Sequence, residues 1–220
     1  EGAAEEAKTD ILEACQDADI VFLTGGLGGG TGTGSLPVIA KLAKERGALT
    51  IAIVTLPFSN EGARRTRNAR LGLDRLRKCA DTVIVIPNDR LLQEEIMNLP
   101  LNLAFRQADE ILGNAIKCMT EITSQGGLVN IDFADMRSIM DGGGVAMIGM
   151  GEGHGPNRAS EAVIAALTSP LLELDIGSSE GALVNVTGGD DMTLQEAHEV
   201  VREVHSKINK DARIIWGASI

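Results

Sequence analysis

One stretch limits what this chain can fold into more than any other: Thr24 to Ser35, reading Thr-Gly-Gly-Leu-Gly-Gly-Gly-Thr-Gly-Thr-Gly-Ser. An apolar run, Ile20–Leu23, precedes it, and a helical pattern over Leu36–Arg46 follows. Strand, glycine loop, helix is the order in which a backbone wraps a phosphate. Glycine brings N–H groups up to the oxygens with no Cβ in the way, and the next helix points its positive end at them. Thr31 and Thr33, set between glycines, add hydroxyl donors. A phosphate-binding loop is the expectation. A flexible linker is the bland alternative, but Gly/Ser linkers are not framed by a strand and a helix.

Around this loop strands and helices alternate. Residues 3–17 read as one amphipathic helix with Ala7, Ile11, Leu12 and Cys15 on one side. Gly47 ends the Leu36–Arg46 helix, and Leu49–Leu56 is a continuous apolar run, as in a parallel strand covered on both faces. Pro57–Asn60 breaks that run. Glu61–Lys78 is a strongly basic helix whose plain explanation is a solvated face, and Thr82–Ile86 is the next buried strand, stopped by Pro87. The alternation predicts an α/β fold with a doubly wound, mainly parallel, Rossmann-like sheet, whose ligands sit outside the carboxyl ends of the strands. The exits Thr24–Ser35, Pro57–Glu61 and Pro87–Arg90 then face one crevice. Position alone makes Glu61, Arg65 and Asn88 candidate ligand contacts.

Pro100 opens the longest helical pattern, apolar at Ala104, Ala108, Ile111, Leu112, Ala115, Ile116, Met119 and Ile122, and ending at Gly126-Gly127. It reads as a central spine covered on most sides. Beyond it come Asn130–Asp135, a short helix to Met140, a strand Val145–Met150, a helix over 158–167, a strand Ala182–Thr187, a helix Thr193–Asn209 and a strand Arg213–Trp216. The predicted organisation is a nucleotide domain over 1–99, a connecting helix over 100–127, and a smaller α+β domain with a mixed sheet over 128–220. Gly142–Gly144 and Gly149–Gly153 could form a second phosphate loop; a turn and a strand exit explain them as well and are preferred.

Composition removes several function classes. A net charge of −11 opposes duplex DNA or an acidic membrane as the main partner, since either needs a basic face. Four phenylalanines, one tryptophan and no tyrosine leave no aromatic platform for single-stranded nucleic acid. Cys15, Cys79 and Cys118 are widely spaced and lack zinc spacing, so buried thiols of a reducing compartment are expected and no metal site is assigned. The acidic start, Glu1–Lys8, is the opposite of a signal peptide, and no apolar run reaches the ~20 residues of a membrane span. The expectation is a soluble, cytoplasmic protein with no nucleic-acid partner and no direct membrane insertion.

The loop also fails two common nucleotide templates. No alignment of its glycines satisfies GxGxxG, and no Lys-Ser/Thr follows as in a Walker A loop. The strand ending at Thr55 carries no acidic residue to hold a ribose in the dehydrogenase manner, so a dinucleotide enzyme is disfavoured.

What fits is the tubulin/FtsZ superfamily. Gly28-Gly29-Gly30-Thr31-Gly32-Thr33-Gly34-Ser35 resembles its GGGTGTG[SA] loop without a mismatch. Pro57-Phe58 with Glu61-Gly62, Ile86-Pro87-Asn88-Asp89, Ala104-Phe105 with Ala108-Asp109, and Val129 to Asp135 are similar to FtsZ in order and spacing. The last stretch separates FtsZ from eukaryotic tubulins, and the wording elsewhere leans archaeal. The chain is identified as a member of the FtsZ family, lacking the N-terminal part of the GTPase domain and the C-terminal end of complete members.

The resemblance implies GTP/GDP as ligand, Mg²⁺ as companion ion, and GTPase activity in a polymerising cell-division protein. It makes Gly28, Gly29, Gly30, Thr31, Gly32 and Thr33 phosphate contacts, Glu61 and Arg65 ribose-side contacts, and Asn88 and Asp109 guanine readers, with Phe105 stacked near the base. A carboxylate at Asp109 can accept from guanine N1–H and N2–H together, which adenine cannot match. Asn130, Asp132 and Asp135 resemble the acidic loop that triggers hydrolysis. Without the family, Asp132 is simply a helix N-cap, Asp135 a first-turn acid favoured by the dipole, and Phe105 a core residue.

A helix climbing ~1.5 Å per residue puts the two ends of the spine, Asp109 and Gly126, roughly 25 Å apart. Base readers and acidic loop then cannot serve one nucleotide within one chain; if both belong to one reaction, a neighbour stacked head to tail supplies the acids, and such a contact builds an open filament. Division-ring anchor and regulatory proteins at mid-cell are the further partners the resemblance implies. A non-hydrolysing filament cap is the alternative function.

Overall fold

The computed structural model describes residues 1–91, 101–124, 128–142, 144–169, 171–172 and 176–220. Two compact units emerge: Glu1–Gly113 with Met140–Met147, and Asn114–Ile139 with Ile148–Ile220.

In the first unit four parallel strands, β1 (Ile20–Gly26), β2 (Leu49–Leu56), β3 (Thr82–Pro87) and β4 (Gly144–Ala146), lie in the order β1-β2-β3-β4. Among these described strands the winding runs one way. β2 is buried without a break from Leu49 to Val54, the burial its unbroken apolar run requires. Asp81, 5 % exposed, ties the sheet's amino end together: its carboxylate accepts the Thr50 N–H at 2.9 Å and pairs with Lys44 at 2.5 Å.

Helix α3 (Thr31–Glu45) packs on β1 and β2, and α4 (Ala63–Cys79) on β2, β3 and α3. The single helix expected over 3–17 is two, α1 (Gly2–Glu6) and α2 (Lys8–Ala14), broken at Ala7; the bend lets both short pieces rest on α3. Strand β1 runs three residues further than expected, to Gly26, and α3 begins inside the glycine run at Thr31 rather than at Leu36. Ser35 Oγ donates to the Thr31 carbonyl at 2.7 Å in the first turns of that helix. Glycine costs about 1 kcal/mol per helical position. Packing offsets the cost here, because the first turn of α3 lies across the end of β1: a Cβ on Gly32 would stand 2.3 Å from the Gly26 carbonyl oxygen.

The strand expected over Val145–Met150 as part of the second domain is shorter and elsewhere: Gly144–Ala146 pairs with Thr82–Ile84 in the first sheet. Thr82 Oγ1 donates to the Met140 carbonyl at 2.5 Å just before it. A linear division at 99 and 127 therefore differs from the packing, in which Met140–Met147 returns to the first unit. The long helix, after short α5 (Asn88–Leu91), is α6 (Leu101–Ser124), and the units divide it between Gly113 and Asn114. It is less covered than its apolar pattern predicts. Leu103, Arg106, Glu110, Gly113, Asn114 and Lys117 are exposed, and Arg106–Glu110 and Lys117–Glu121 form i,i+4 pairs along it. No helix among the described residues is long and apolar enough to cross a membrane.

The second unit carries α7 (Phe133–Met140, its last residue belonging to the first unit), α8 (Arg158–Leu167), β5 (Gly181–Thr187), α9 (Leu194–Lys207) and β6 (Arg213–Ser219). β5 and β6 pair in parallel, and Val129 bridges Ala218 antiparallel, so the sheet directions are mixed. Gly149, Gly151 and Gly153 form no phosphate loop. A Cβ on each would meet the α8 backbone, at the Ala166, Ala162 and Arg158 carbonyl oxygens within 2.4 Å. They let an extended segment lie directly on a helix. Arg158 joins α8 to α9: its guanidinium donates to Glu196 at 2.7 Å and Asp191 at 2.8 Å. The Arg158 hydrogen bonds, then the Thr193 backbone and hydroxyl, pull the Glu196 carboxyl down to about 2 from an ordinary 4.5.

Candidate nucleotide site and acidic loop

Because β1, β2 and β3 are parallel and in register, Gly26 beside Thr55 and Leu56 beside Pro87, their carboxyl ends share one edge of the sheet. The three exits meet there. Leu27 N–H donates to the Thr55 carbonyl at 2.9 Å, which binds the start of the glycine loop to the end of β2. Gly28 turns with a φ of 106°, and its α-carbon faces Pro57 and the Arg65 carbonyl. Ser59 N–H donates to Asp89 Oδ1 at 2.9 Å, joining the exits of β2 and β3. Asp89 is a positioning residue that the sequence reading passed over; its only signal was its place after Asn88 at a strand end.

The loop itself is short, Leu27 to Gly30, because strand and helix take the rest. Gly30 caps α3 without a side-chain hydrogen bond, so the first-turn N–H groups of Thr31, Gly32 and Thr33 have no intrahelical acceptor. Gly29 and Gly30 border open space. Thr33 Oγ1 accepts the Gly28 N–H at 2.9 Å and holds the turn closed. These groups present a row of donors at the positive end of a helix, the environment that stabilises an anion.

Glu61 and Arg65 stand beside the loop. Glu61 Oε1 accepts the Phe58 N–H at 2.9 Å, and its other oxygen pairs with the Arg65 guanidinium one turn into α4. Asn88 begins α5, and its Oδ1 is buried with no hydrogen-bond partner among the described residues. Such an oxygen lacks the donor that would offset about 1–3 kcal/mol of desolvation. Phe105 and Asp109 fall on α6, and their side chains lie outside the described residues.

In the second unit, Asp132 caps α7: Oδ1 accepts the Ala134 N–H at 2.9 Å, and its carbonyl accepts the Met136 N–H at 3.0 Å. Asp135 follows in the first turn with its carboxylate exposed, and Asn130 and Asp132 are exposed too. Arg137 stacks its guanidinium over Phe133, 5.3 Å from the ring centroid, on the same helix. Capping fixes the direction in which the loop leaves α7, and both acids face solvent.

The profile of the tubulin/FtsZ family GTPase domain matches residues 1–95, and that of the FtsZ family C-terminal domain matches residues 144–220. Over all 220 residues the chain is 58% identical to cell division protein FtsZ 1 of Archaeoglobus fulgidus and 59% identical to cell division protein FtsZ of Methanothermobacter thermautotrophicus. It covers 60% and 58% of those proteins, so it spans little more than half the length of the curated relatives it matches. The solved structure of an empty FtsZ dimer from M. jannaschii superposes with a TM-score of 0.96 at 54% identity, covering all of this chain and 64% of that one. Two matched domains in family order, full-chain identity above one half and a shared backbone agree with the parallel α/β sheet and the glycine loop entering α3: the chain belongs to the FtsZ family.

Proposed function

We propose that the chain is the nucleotide-contacting and hydrolysis-triggering part of a polymerising cell-division GTPase of the cytoplasm, acting at mid-cell. GTP or GDP lies at the shared carboxyl edge of β1–β3. Backbone donors from Gly29 to Thr33 take the phosphates, while Gly28, its N–H held by Thr33, shapes the turn; Glu61 and Arg65 take the ribose side, and Asn88, Asp109 and Phe105 the guanine. The observation that carries this reading is the meeting of three strand exits around first-turn N–H groups, with the unpartnered Asn88 oxygen at the same edge.

Among the described residues no three His, Cys, Asp or Glu side chains gather into a metal cage. Mg²⁺ rides on the phosphates and offsets their charge, as magnesium sites with few protein ligands do. Hydrolysis needs a water turned toward the γ-phosphate. Asp132 and Asp135 of a neighbouring subunit polarise that water and Asn130 holds it or the loop by hydrogen bonding. Acids supplied in trans make the assembly a head-to-tail filament, because a heterologous contact of that kind does not close. The relative from M. jannaschii was solved as a dimer, in keeping with self-association. Anchor and regulatory proteins of the division ring are its further partners.

Equilibrium titration with a fluorescent GTP analogue tests the pocket. GTP competes and ATP does not, and Asn88→Leu weakens GTP by about tenfold, the loss of one buried hydrogen bond. Equal competition by ATP overturns the guanine assignment.

A further inference from the structure

Charge is divided sharply across the helical layer of the first unit. α4 holds seven cationic side chains, Arg64, Arg65, Arg67, Arg70, Arg75, Arg77 and Lys78, against one acidic, Asp74. It carries +6 in a chain of −11, leaving −17 for the rest. Residues 1–19 mirror it with seven acids and Lys8, a formal −6. All of these cations and acids are exposed. Because α4 packs over β2 and β3, α3 over β1 and β2, and α1 and α2 against α3, the layer runs from an acidic border to a basic one.

The basic border has the anatomy of a docking face. Arg64, Arg67, Leu71, Arg75 and Lys78 recur at intervals of three and four, so they share one side of α4. Leu71, 55% exposed, sits at the centre of that side with cations around it, an apolar core within a charged rim. The acidic border offers the converse: Glu5, Glu6, Asp10 and Glu13 are exposed beside half-buried Ile11 and Leu12. Arg75, at the edge of this face nearest the chain's own start, pairs with Glu1 at 2.9 Å, so Arg64, Arg67, Leu71 and Lys78 are the part of the face offered to a partner.

We propose that the α4 face docks the acidic α1–α2 face of a second copy of this chain, giving side-by-side association distinct from head-to-tail stacking. The contact joins two different patches, so it repeats instead of closing into a dimer. Like charges set opposite each other would forbid the α4-to-α4 and α1-to-α1 arrangements, which fixes the direction of packing. No nucleotide takes part, so the inference stands or falls apart from the GTP reading.

Sedimentation velocity of the nucleotide-free chain over a concentration series is the test. At low ionic strength the weight-average sedimentation coefficient rises with concentration. At about 0.5 M salt, where the screening length falls below about 5 Å, it returns to the monomer value. Arg67→Glu with Lys78→Glu, and separately Glu6→Lys with Asp10→Lys, each weaken self-association by about tenfold or more. An equimolar mixture of the two variants restores it, because opposite charges face each other again across alternate contacts. Circular dichroism confirms that both variants remain folded, as exposed positions allow. Association that ignores salt or charge reversal, variants that do not rescue each other, or a monomer that binds only phosphatidylserine vesicles through α4 overturns the proposal.

Discussion

Gly32 and Asp81 show how single residues hold the two ends of the same sheet. An alanine methyl at position 32 would meet the Gly26 carbonyl oxygen at 2.3 Å, and backbone on both sides leaves nothing soft to yield. Gly32→Ala is expected to destabilise the fold by at least about 2 kcal/mol, the scale of overpacking, as a fall in the urea midpoint. At the opposite edge Asp81→Ala strands the Thr50 N–H inside the sheet. Its expected cost is about 1–3 kcal/mol by the same measurement, set by the unsatisfied donor more than by the half-exposed Lys44. Both residues are quiet in sequence. Gly32 is one glycine among many in the run, and Asp81 follows a helix where any turn acid could stand.

Elements meet through a few polar links as well as through apolar packing. Arg158 and Glu196 join α8 to α9, while Thr193 and Glu196 form the box that opens α9. The folded Glu196 carboxyl titrates near 2, below its ordinary 4.5, so it adds stability that is complete above about pH 4.5 and lost as the pH falls through 2. In urea melts from pH 5 to pH 2, the stability gap between wild type and Glu196→Gln is expected to shrink toward zero. A gap constant over that range would mean that the pairing contributes nothing to folding. The helix α3 is the clearer lesson about elements. Its glycines argue locally for loop, yet the helix starts at Thr31, because crossing β1 at Gly32 requires a turn without a Cβ.

For the whole molecule the proposed function gives two clusters separate tasks: a nucleotide edge in the first unit and an exposed acidic loop in the second. Asp135→Ala is expected to leave GTP binding and GTP-dependent light scattering in place while phosphate release falls by roughly 100-fold, the scale of losing a general-base contribution. Unchanged turnover would remove Asp135 from the reaction.

The order strand, glycine loop, helix, the buried run Leu49–Val54 of β2, the parallel first sheet and the FtsZ membership were all legible in the residues, since each follows from local pattern or a long contiguous motif. Asp132 as the cap of α7 was legible too, as the bland alternative to a trigger role. What only the tertiary structure decided is non-local. Gly144–Ala146 pairs with β3, because a three-residue strand carries too little pattern to name its sheet. Gly149, Gly151 and Gly153 serve α8 contact and not an anion, because spacing cannot say what a missing side chain makes room for. The sealed Asn88 oxygen and the Asp89 link between two strand exits exist only once β2 and β3 lie side by side. A sequence determines hydrogen bonds a few residues apart; those across the sheet depend on which strands find each other, and that is set by burial of the whole.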